Sequence, residues 1–356
     1  MEKVPFDPKE LEPIGYSPAP LPFLPPTPIF NSPITRKENF LRLINGEGAL
    51  WVPHTKEFFI WNPSCIPDSW ARASTTKPGP PIPIEQWGGP DMFGVEWEYV
   101  PQVGGSMVRP GKPYVGDLEH WEDYVKFPDI ESWDWATAKK EYDELYDPNC
   151  IVKQVFFTGL FERLISFVDM TDAMLGLIDE DVQPAIHRLF DRLCELYDRI
   201  ITKSKEVFSP DIIWFHDDWG SQRAPFFSAN TVREMILPYL TRVIDCVHRN
   251  GMSFEFHSCG KVEDLVPLMI EAGVDMWNGQ PMNDKKKVLQ MYGDKIIVDS
   301  CPQELPRDAS HEEKVAAIRA YVEDFKGLRT TCRMTPQSPL DEYEILYEES
   351  RKIYGG

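Results

Sequence analysis

Basic residues are scarce in this sequence. Thirty-seven Lys and Arg stand against 57 Asp and Glu, a formal charge of −20. So acidic a chain repels phosphate backbones and anionic lipid, which argues against nucleic acid and membrane surfaces as partners and disfavours a polyanionic substrate. Cysteine is sparse too. Seven in 356 residues show no framework spacing, and no secretory leader pattern precedes them, so the expected setting is the reducing cytoplasm rather than a disulfide scaffold. Apolar runs long enough to cross a bilayer are missing, and no internal repeat is visible. With 42% hydrophobic residues, the chain can bury one large core or two modest ones.

Proline and tryptophan, by contrast, are plentiful. Ten of 33 prolines fall within residues 1–33, including the run Pro18-Ala19-Pro20-Leu21-Pro22-Phe23-Leu24-Pro25-Pro26. Residues 1–34 therefore read as an extended arm, which packs on its own chain or crosses to a second subunit in a homodimer, with disorder as the competing reading. Residues 35–356 form the main domain. It begins with a helix over Thr35–Ile44, where Thr35 and Glu38 have capping-box spacing, and a first strand at Ala49–Pro53. An irregular stretch rich in Trp, Pro and Gly follows at about 55–135, with a further strand at Val95–Val100; insertions of this kind serve as lids or binding loops.

From residue 151 the pattern is regular. Strands are expected at Ile151–Phe157, Ile212–His216, Ser253–His257, Val274–Asn278, Ile296–Ser300 and Leu328–Cys332. Amphipathic helices lie between them, among them Pro184–Val207, a Thr231–Gly251 helix interrupted near Pro238, Val262–Ala272, Lys285–Tyr292, Ser310–Phe325 and Leu340–Ile353. Strands alternating with helices predict a parallel α/β fold, and about eight strands favour a (β/α)8 TIM-like barrel.

In such a barrel the strand C-termini converge on one mouth. Those ends carry His216-Asp217-Asp218, His257-Ser258-Cys259, Asn278-Gly279-Gln280, Asp299-Ser300-Cys301 and Cys332. Imidazole and thiolate are zinc ligands, and His257 and Cys259 lie two residues apart before the turn at Gly260. A third ligand is available from Cys332 or Cys301. Glu255 shares a face with His257 and is either a partner that fixes the imidazole or another ligand. Adjacent residues on a strand diverge, so only one of Asp217 and Asp218 is expected to enter the mouth as a base or orienting carboxylate; the other reading is a helix cap. His216, Gln222, Asn278 and Gln280 are candidate substrate-binding groups.

The ordered set of segments resembles the uroporphyrinogen decarboxylase superfamily. It runs through Thr35-Arg36-Lys37-Glu38 to Leu43 and Gly46, Tyr124-Val125-Lys126-Phe127-Pro128-Asp129, Gly159-Leu160-Phe161-Glu162-Arg163 and His216-Asp217-Asp218-Trp219-Gly220-Ser221-Gln222. Leu237-Pro238-Tyr239, His257-Ser258-Cys259-Gly260, and Cys332 with Pro336 and Pro339 complete it. The resemblance implies a distorted (β/α)8 barrel with its site at the strand C-termini. The arginine-rich segment of the decarboxylase branch has no counterpart after Trp51-Val52-Pro53-His54. The sequence is more similar to the branch of zinc methyltransferases that work with corrinoid (cobalamin) proteins, whose signature is His-x-Cys with a distant Cys.

That likeness implies Zn2+ on His257, Cys259 and Cys332, with a corrinoid as methyl carrier on a partner protein. The methyl group would move to or from a small molecule: a thiol, an alcohol or a methyl ether, as in O-demethylation. Nine of the eleven Trp precede residue 215, which suits an aromatic pocket wall and an aryl methyl ether. Asp217 or Asp218, with Gln222, would orient the substrate. The rival expectations are a metal-free decarboxylase in which one of these Asp protonates a carbanion, and a non-catalytic corrinoid- or protein-binding relative.

Overall fold

The computed structural model describes residues 4–17, 27–102, 104–109, 111–306, 308–334 and 338–355. The run Pro18–Pro26 and Pro336 lie outside the described residues. The chain opens with β1 (Pro13–Ser17), β2 (Thr27–Phe30), α1 (Arg36–Ile44), β3 (Phe58–Trp61) and α2 (Pro67–Ala71). Next come β4 (Gly88–Pro90), β5 (Glu96–Val100), β6 (Gly105–Val108) and α3 (Trp135–Leu145). Regular alternation follows: β7 (Ile151–Phe156), α4 (Leu160–Val168), α5 (Met170–Gly176), α6 (Gln183–Phe208), β8 (Ile212–His216), α7 (Ala229–Thr231), α8 (Leu237–Arg249) and β9 (Ser253–Ser258). It continues through α9 (Val266–Ala272), β10 (Met276–Gly279), α10 (Lys285–Tyr292), β11 (Ile297–Ser300), α11 (His311–Asp324), β12 (Thr330–Cys332) and α12 (Leu340–Gly355). The fold is of the (β/α)8 TIM-barrel type. Among the described residues no helix is long and apolar enough to cross a membrane.

The chain divides into two compact units. One holds the chain up to Phe59, Asp147–Ile151 and everything from Asp284; the other holds Ile60–Tyr146 and Val152–Asn283. In the second unit β7, β8, β9 and β10 are successive parallel neighbours, with Phe156 opposite Phe215 and Phe215 opposite Phe256. Strands covered on both faces need apolar side chains throughout. β7 is buried along its whole length, and its one cation, Lys153, is matched by Glu255 at 2.5 Å. α6 buries the expected stripe of Leu189, Leu193, Leu196, Ile200 and Ile201.

Two expectations shift in this unit. The segment Val95–Val100 does form a strand, β5, but in a separate antiparallel sheet with β4 and β6. The helix expected from Thr231 begins earlier: Ser228 caps it, accepting from the Thr231 amide at 3.1 Å. It then passes Pro238 by widening into a π-turn over Val232–Ile236. That turn accommodates the proline's missing N–H without breaking the helix.

In the first unit β11 and β12 pair in parallel, and β1 and β2 form an antiparallel ribbon. Pro13 and Pro28 are tolerated there because a two-stranded ribbon leaves each strand a free edge. The arm packs on its own chain through Glu10. This buried carboxylate accepts from Arg351 Nε at 2.8 Å, Arg351 Nη2 at 2.9 Å and Tyr347 Oη at 2.7 Å. Ala49–Pro53, expected as the first strand, is not one. It runs beside β12 through a single parallel bridge of His54 with Cys332, and the Cys332 amide donates to Pro53 O at 2.7 Å. Pro53 has no N–H with which to extend a ladder.

Candidate functional site

The end of β9 supplies the chemistry of the second unit. Gly260, two residues past β9, has φ of +91°, and a Cβ there would come within 2.3 Å of the Gly220 backbone. Only glycine fits, so the chain turns sharply there. Ligand atoms of Asp218, His257 and Cys259 all lie within 4.8 Å of one another. Cys259 Sγ is 3.5 Å from His257 Nε2, and Asp218 Oδ1 is 4.0 Å from the same nitrogen. Asp218 Oδ1 also accepts from the Cys259 amide at 2.7 Å. All three side chains retain some exposure, so the cluster is open to a reactant.

The partners of these groups are well defined. His257 Nδ1 lies 3.0 Å from the Asn278 carbonyl and 3.1 Å from Asn278 Oδ1. Both are acceptors, so the proton is on Nδ1 and Nε2 presents its lone pair to the cluster. Gln280 donates through Nε2 to Cys259 Sγ at 3.3 Å, while its Oε1 accepts from the Gly260 amide at 2.8 Å. Burial, reinforced by Asp218, pushes the Cys259 thiol well above its ordinary range. A protein environment that disfavours the thiolate leaves its formation to a bound cation.

His216 stands beside the cluster. Its ring is 4.6 Å from His257, 4.8 Å from Trp214 and 5.0 Å from Phe157, centroid to centroid. Burial, with help from His257 and Arg72, holds it well below the usual histidine range and therefore neutral. His216 Nε2 and Trp214 Nε1 are buried without a hydrogen-bond partner.

The two adjacent aspartates part company. Asp217 is fully buried and accepts from the amides of Phe161 at 3.2 Å and Glu162 at 2.8 Å, and from Trp219 Nε1 at 2.9 Å. It caps α4, whose own N-cap residue Gly159 has no side chain to do so. Of the two readings of this pair, Asp217 has the contacts of the helix cap, and Asp218 is the one beside His257 and Cys259. Glu255, considered as a ligand or as the partner of His257, is instead paired with Lys153. Gln222 is exposed on the turn after Trp219, and no hydrogen bond ties it to the cluster.

The candidate third ligands belong to the first unit. Cys301 is exposed. Cys332 is fully buried, and its thiol is hydrogen-bonded to Tyr321. Ser300 and Thr330 belong to the same network: Ser300 Oγ is 2.8 Å from Tyr321 Oη and 2.6 Å from Thr330 Oγ1. Thr330 and Cys332, two residues apart, face α11 together, whereas Asp299 pairs with Lys285 and Arg333. None of the described cysteines forms a disulfide.

Sequence reasoning missed two charged residues. Arg72, at the end of α2, donates through Nη1 to Thr158 Oγ1 at 3.2 Å and pairs with Glu162 Oε1 at 2.9 Å. Its guanidinium lies over Trp97 at 4.8 Å and Phe157 at 5.5 Å. Burial, opposed by Arg72 and aided by Asp218 and Asp217, pushes the Glu162 carboxyl up to about 8. Glu162 falls inside the motif Gly159–Arg163, which offered a signal for it; Arg72, in the irregular insertion, had none.

Comparison with known proteins reaches fold level. No protein-family model matches the chain, and no curated protein does. Among solved structures it is similar to a methyltransferase from Methanosarcina mazei, with a TM-score of 0.60 at 15% identity over 90% of this chain and 99% of that one. A glycosylated endo-β-1,4-xylanase from Gloeophyllum trabeum gives a TM-score of 0.36 at 9% identity over 57% of this chain and 68% of the other. A sugar phosphate isomerase/epimerase from Parabacteroides distasonis gives 0.35 at 10% over 64% and 82%. At such identity the first of these likenesses speaks for the fold, and this chain shares the fold of the Methanosarcina mazei methyltransferase over nearly the whole length of both.

Proposed function

We propose that this protein is a zinc-dependent methyltransferase that moves a methyl group between a small oxygen- or sulfur-bearing molecule and a corrinoid carried by a partner protein. The observation that carries the reading is the convergence of Asp218, His257 and Cys259, with Asn278 holding the imidazole in the ligating tautomer. The donor set fits zinc. Tetrahedral coordination with about 2.3 Å to sulfur and about 2.0 Å to nitrogen separates the two ligands by about 3.5 Å, and Sγ and Nε2 are 3.5 Å apart. The fold shared with a methyltransferase supports the same reading. In this reading Asp218 is the third ligand, in place of the Cys332 that the family resemblance implies.

Zinc bound there would supply Lewis acidity to a substrate oxygen or sulfur. The rest of the work falls to side chains. Asn278 keeps the Nδ1 proton away from the cluster. Gln280 donates to the Cys259 sulfur and so favours its anionic form. Neutral His216 lines the cluster without adding a competing charge, and its free Nε2 is available to a substrate oxygen.

Metal analysis tests this directly. Purified protein should carry about one zinc per chain, lost in Cys259→Ser and in Asp218→Ala but retained in Cys332→Ser. Loss of metal only in Cys332→Ser would overturn the ligand set. The zinc-loaded protein should then discharge the cob(I)alamin spectrum with one member of a panel of methyl ethers, alcohols and methylated thiols. Metal-independent release of CO2 from a carboxylic acid would instead select the decarboxylase.

A further inference from the structure

We propose that Arg72 is the substrate-anchoring residue of this site and that the small molecule it accepts carries a carboxylate at the end remote from the methyl group. The inference rests on the methyltransferase reading for the reaction, but not for the binding. The Arg72 side chain is only 15% exposed. Only Nη1 is engaged: it serves both Thr158 Oγ1 and Glu162 Oε1. The Nε–Nη2 edge makes no hydrogen bond to any described residue. A guanidinium presents two parallel N–H groups along that edge, the geometry that a planar carboxylate accepts in bidentate fashion.

Three features make this a prepared site rather than a stray surface arginine. The guanidinium is immobilised over Trp97 and Phe157 and tied to Thr158, so little entropy remains to be lost when a ligand arrives. Its nearest counter-charge is compromised, because burial holds Glu162 largely protonated near neutral pH and leaves Glu162 Oε2 buried without a partner. Finally, the site leads to the cluster through adjoining rings. Phe157, under Arg72, contacts His216, and His216 contacts His257. A ligand anchored at Arg72 would lie along Phe157, with the unpartnered Trp214 Nε1 and His216 Nε2 able to bond its oxygens on the way to Asp218, His257 and Cys259. In a chain of charge −20, one sheltered cation with a free fork selects a single anionic group rather than a polyanion.

The test is binding, measured by calorimetry on the zinc-loaded protein with no corrinoid present. The probes are 3-methoxybenzoate and methoxyacetate, each paired with its neutral amide. At least one carboxylate should bind at least about tenfold tighter than its amide, since a charge-assisted bidentate pair is worth more than neutral hydrogen bonds. Arg72→Gln should erase that preference and Arg72→Lys should keep part of it, with melting temperature and zinc content checked in each variant. Equal binding of acid and amide by the wild type would overturn the proposal even if every Arg72 variant failed to fold. So would an Arg72→Gln protein that is folded and still prefers the acid. Because no methyl transfer is read, a carboxylate preference without cob(I)alamin turnover would count against the methyltransferase reading alone, and turnover of neutral ethers without a carboxylate preference would count against this proposal alone.

Discussion

Replacing Asp217 by alanine separates a structural carboxylate from the proposed metal ligand beside it. Its oxygens satisfy two amides at the start of α4 and the indole of Trp219, all in a region closed to water. Loss of a helix cap costs about 1 kcal/mol. Leaving a buried indole N–H unpaired adds about 1–3 kcal/mol, and truncating a packed side chain adds somewhat more. The expected total is about 4 kcal/mol, about 5 °C in melting temperature for a chain of 356 residues. Differential scanning calorimetry on Asp217→Ala and Asp218→Ala, with zinc quantified in both, gives the contrast. Asp217→Ala should melt early yet retain zinc when held folded at low temperature. Asp218→Ala should melt like the wild type stripped of metal and lose its zinc. An Asp217→Ala protein with wild-type melting and abolished turnover would refute the capping argument and return Asp217 to the reaction.

Four further outcomes follow from the same geometry. Gly159→Ala should destabilise by about 2 kcal/mol, read by denaturant unfolding, because its Cβ would meet Asp217 and Phe215 at 2.6 Å. Asn278→Ala should weaken zinc about tenfold in chelator competition, at the low end for an outer-shell partner, since the Asn278 backbone carbonyl still holds Nδ1. Glu10→Ala should cost about 3–5 kcal/mol by stranding the buried Arg351, with early loss of the arm seen as faster proteolysis near the N-terminus. His54 is held down to about 3 by burial, with Arg36 and Lys56 adding to the effect. Its neutral form belongs to the fold, so the stability it contributes is complete above about 6.5 and is lost as pH falls toward 3. Between pH 7 and pH 5 the wild type should lose about 2 kcal/mol from this group, a slope that His54→Phe should flatten in denaturant titrations.

What could be read from sequence alone follows from the range of the interactions involved. β7, β8 and β9, and helices such as α6, were legible because continuous apolar runs and a 3.6-residue stripe are local properties. His257, Cys259, Asn278 and Gln280 were legible for the same reason: each stands at a strand end marked by a nearby glycine or turn. The surroundings of Cys332 lie beyond local pattern. A three-residue strand gives no periodicity from which to tell its faces apart, and the contact of Cys332 with Tyr321, beside Ser300 and Thr330, is visible only in the folded chain. The Ala49–Pro53 segment fails differently, since its apolar run imitates a strand while Pro53 withholds the donor that a ladder needs.

Asp218 and Arg72 illustrate a third kind of limit, and it bears on how the site works. Nothing local distinguishes Asp218 from Asp217. The distinction arises because α4 begins at a glycine without a capping side chain, so its N-terminus recruits the first carboxylate of the pair and leaves the second to the cluster. The same helix start carries Glu162, which pairs with Arg72 from the irregular insertion. One helix N-terminus without a capping side chain of its own thereby sits at the meeting point of three carboxyl groups: Asp217 beneath it, Asp218 turned toward His257, and Glu162 beside Arg72. A substitution that would restore a local cap, Gly159→Ser, cannot replace Asp217, because its Cβ meets the same 2.6 Å obstruction as alanine. The helix start and the placement of Asp218 are therefore fixed by one packing solution rather than by separable parts.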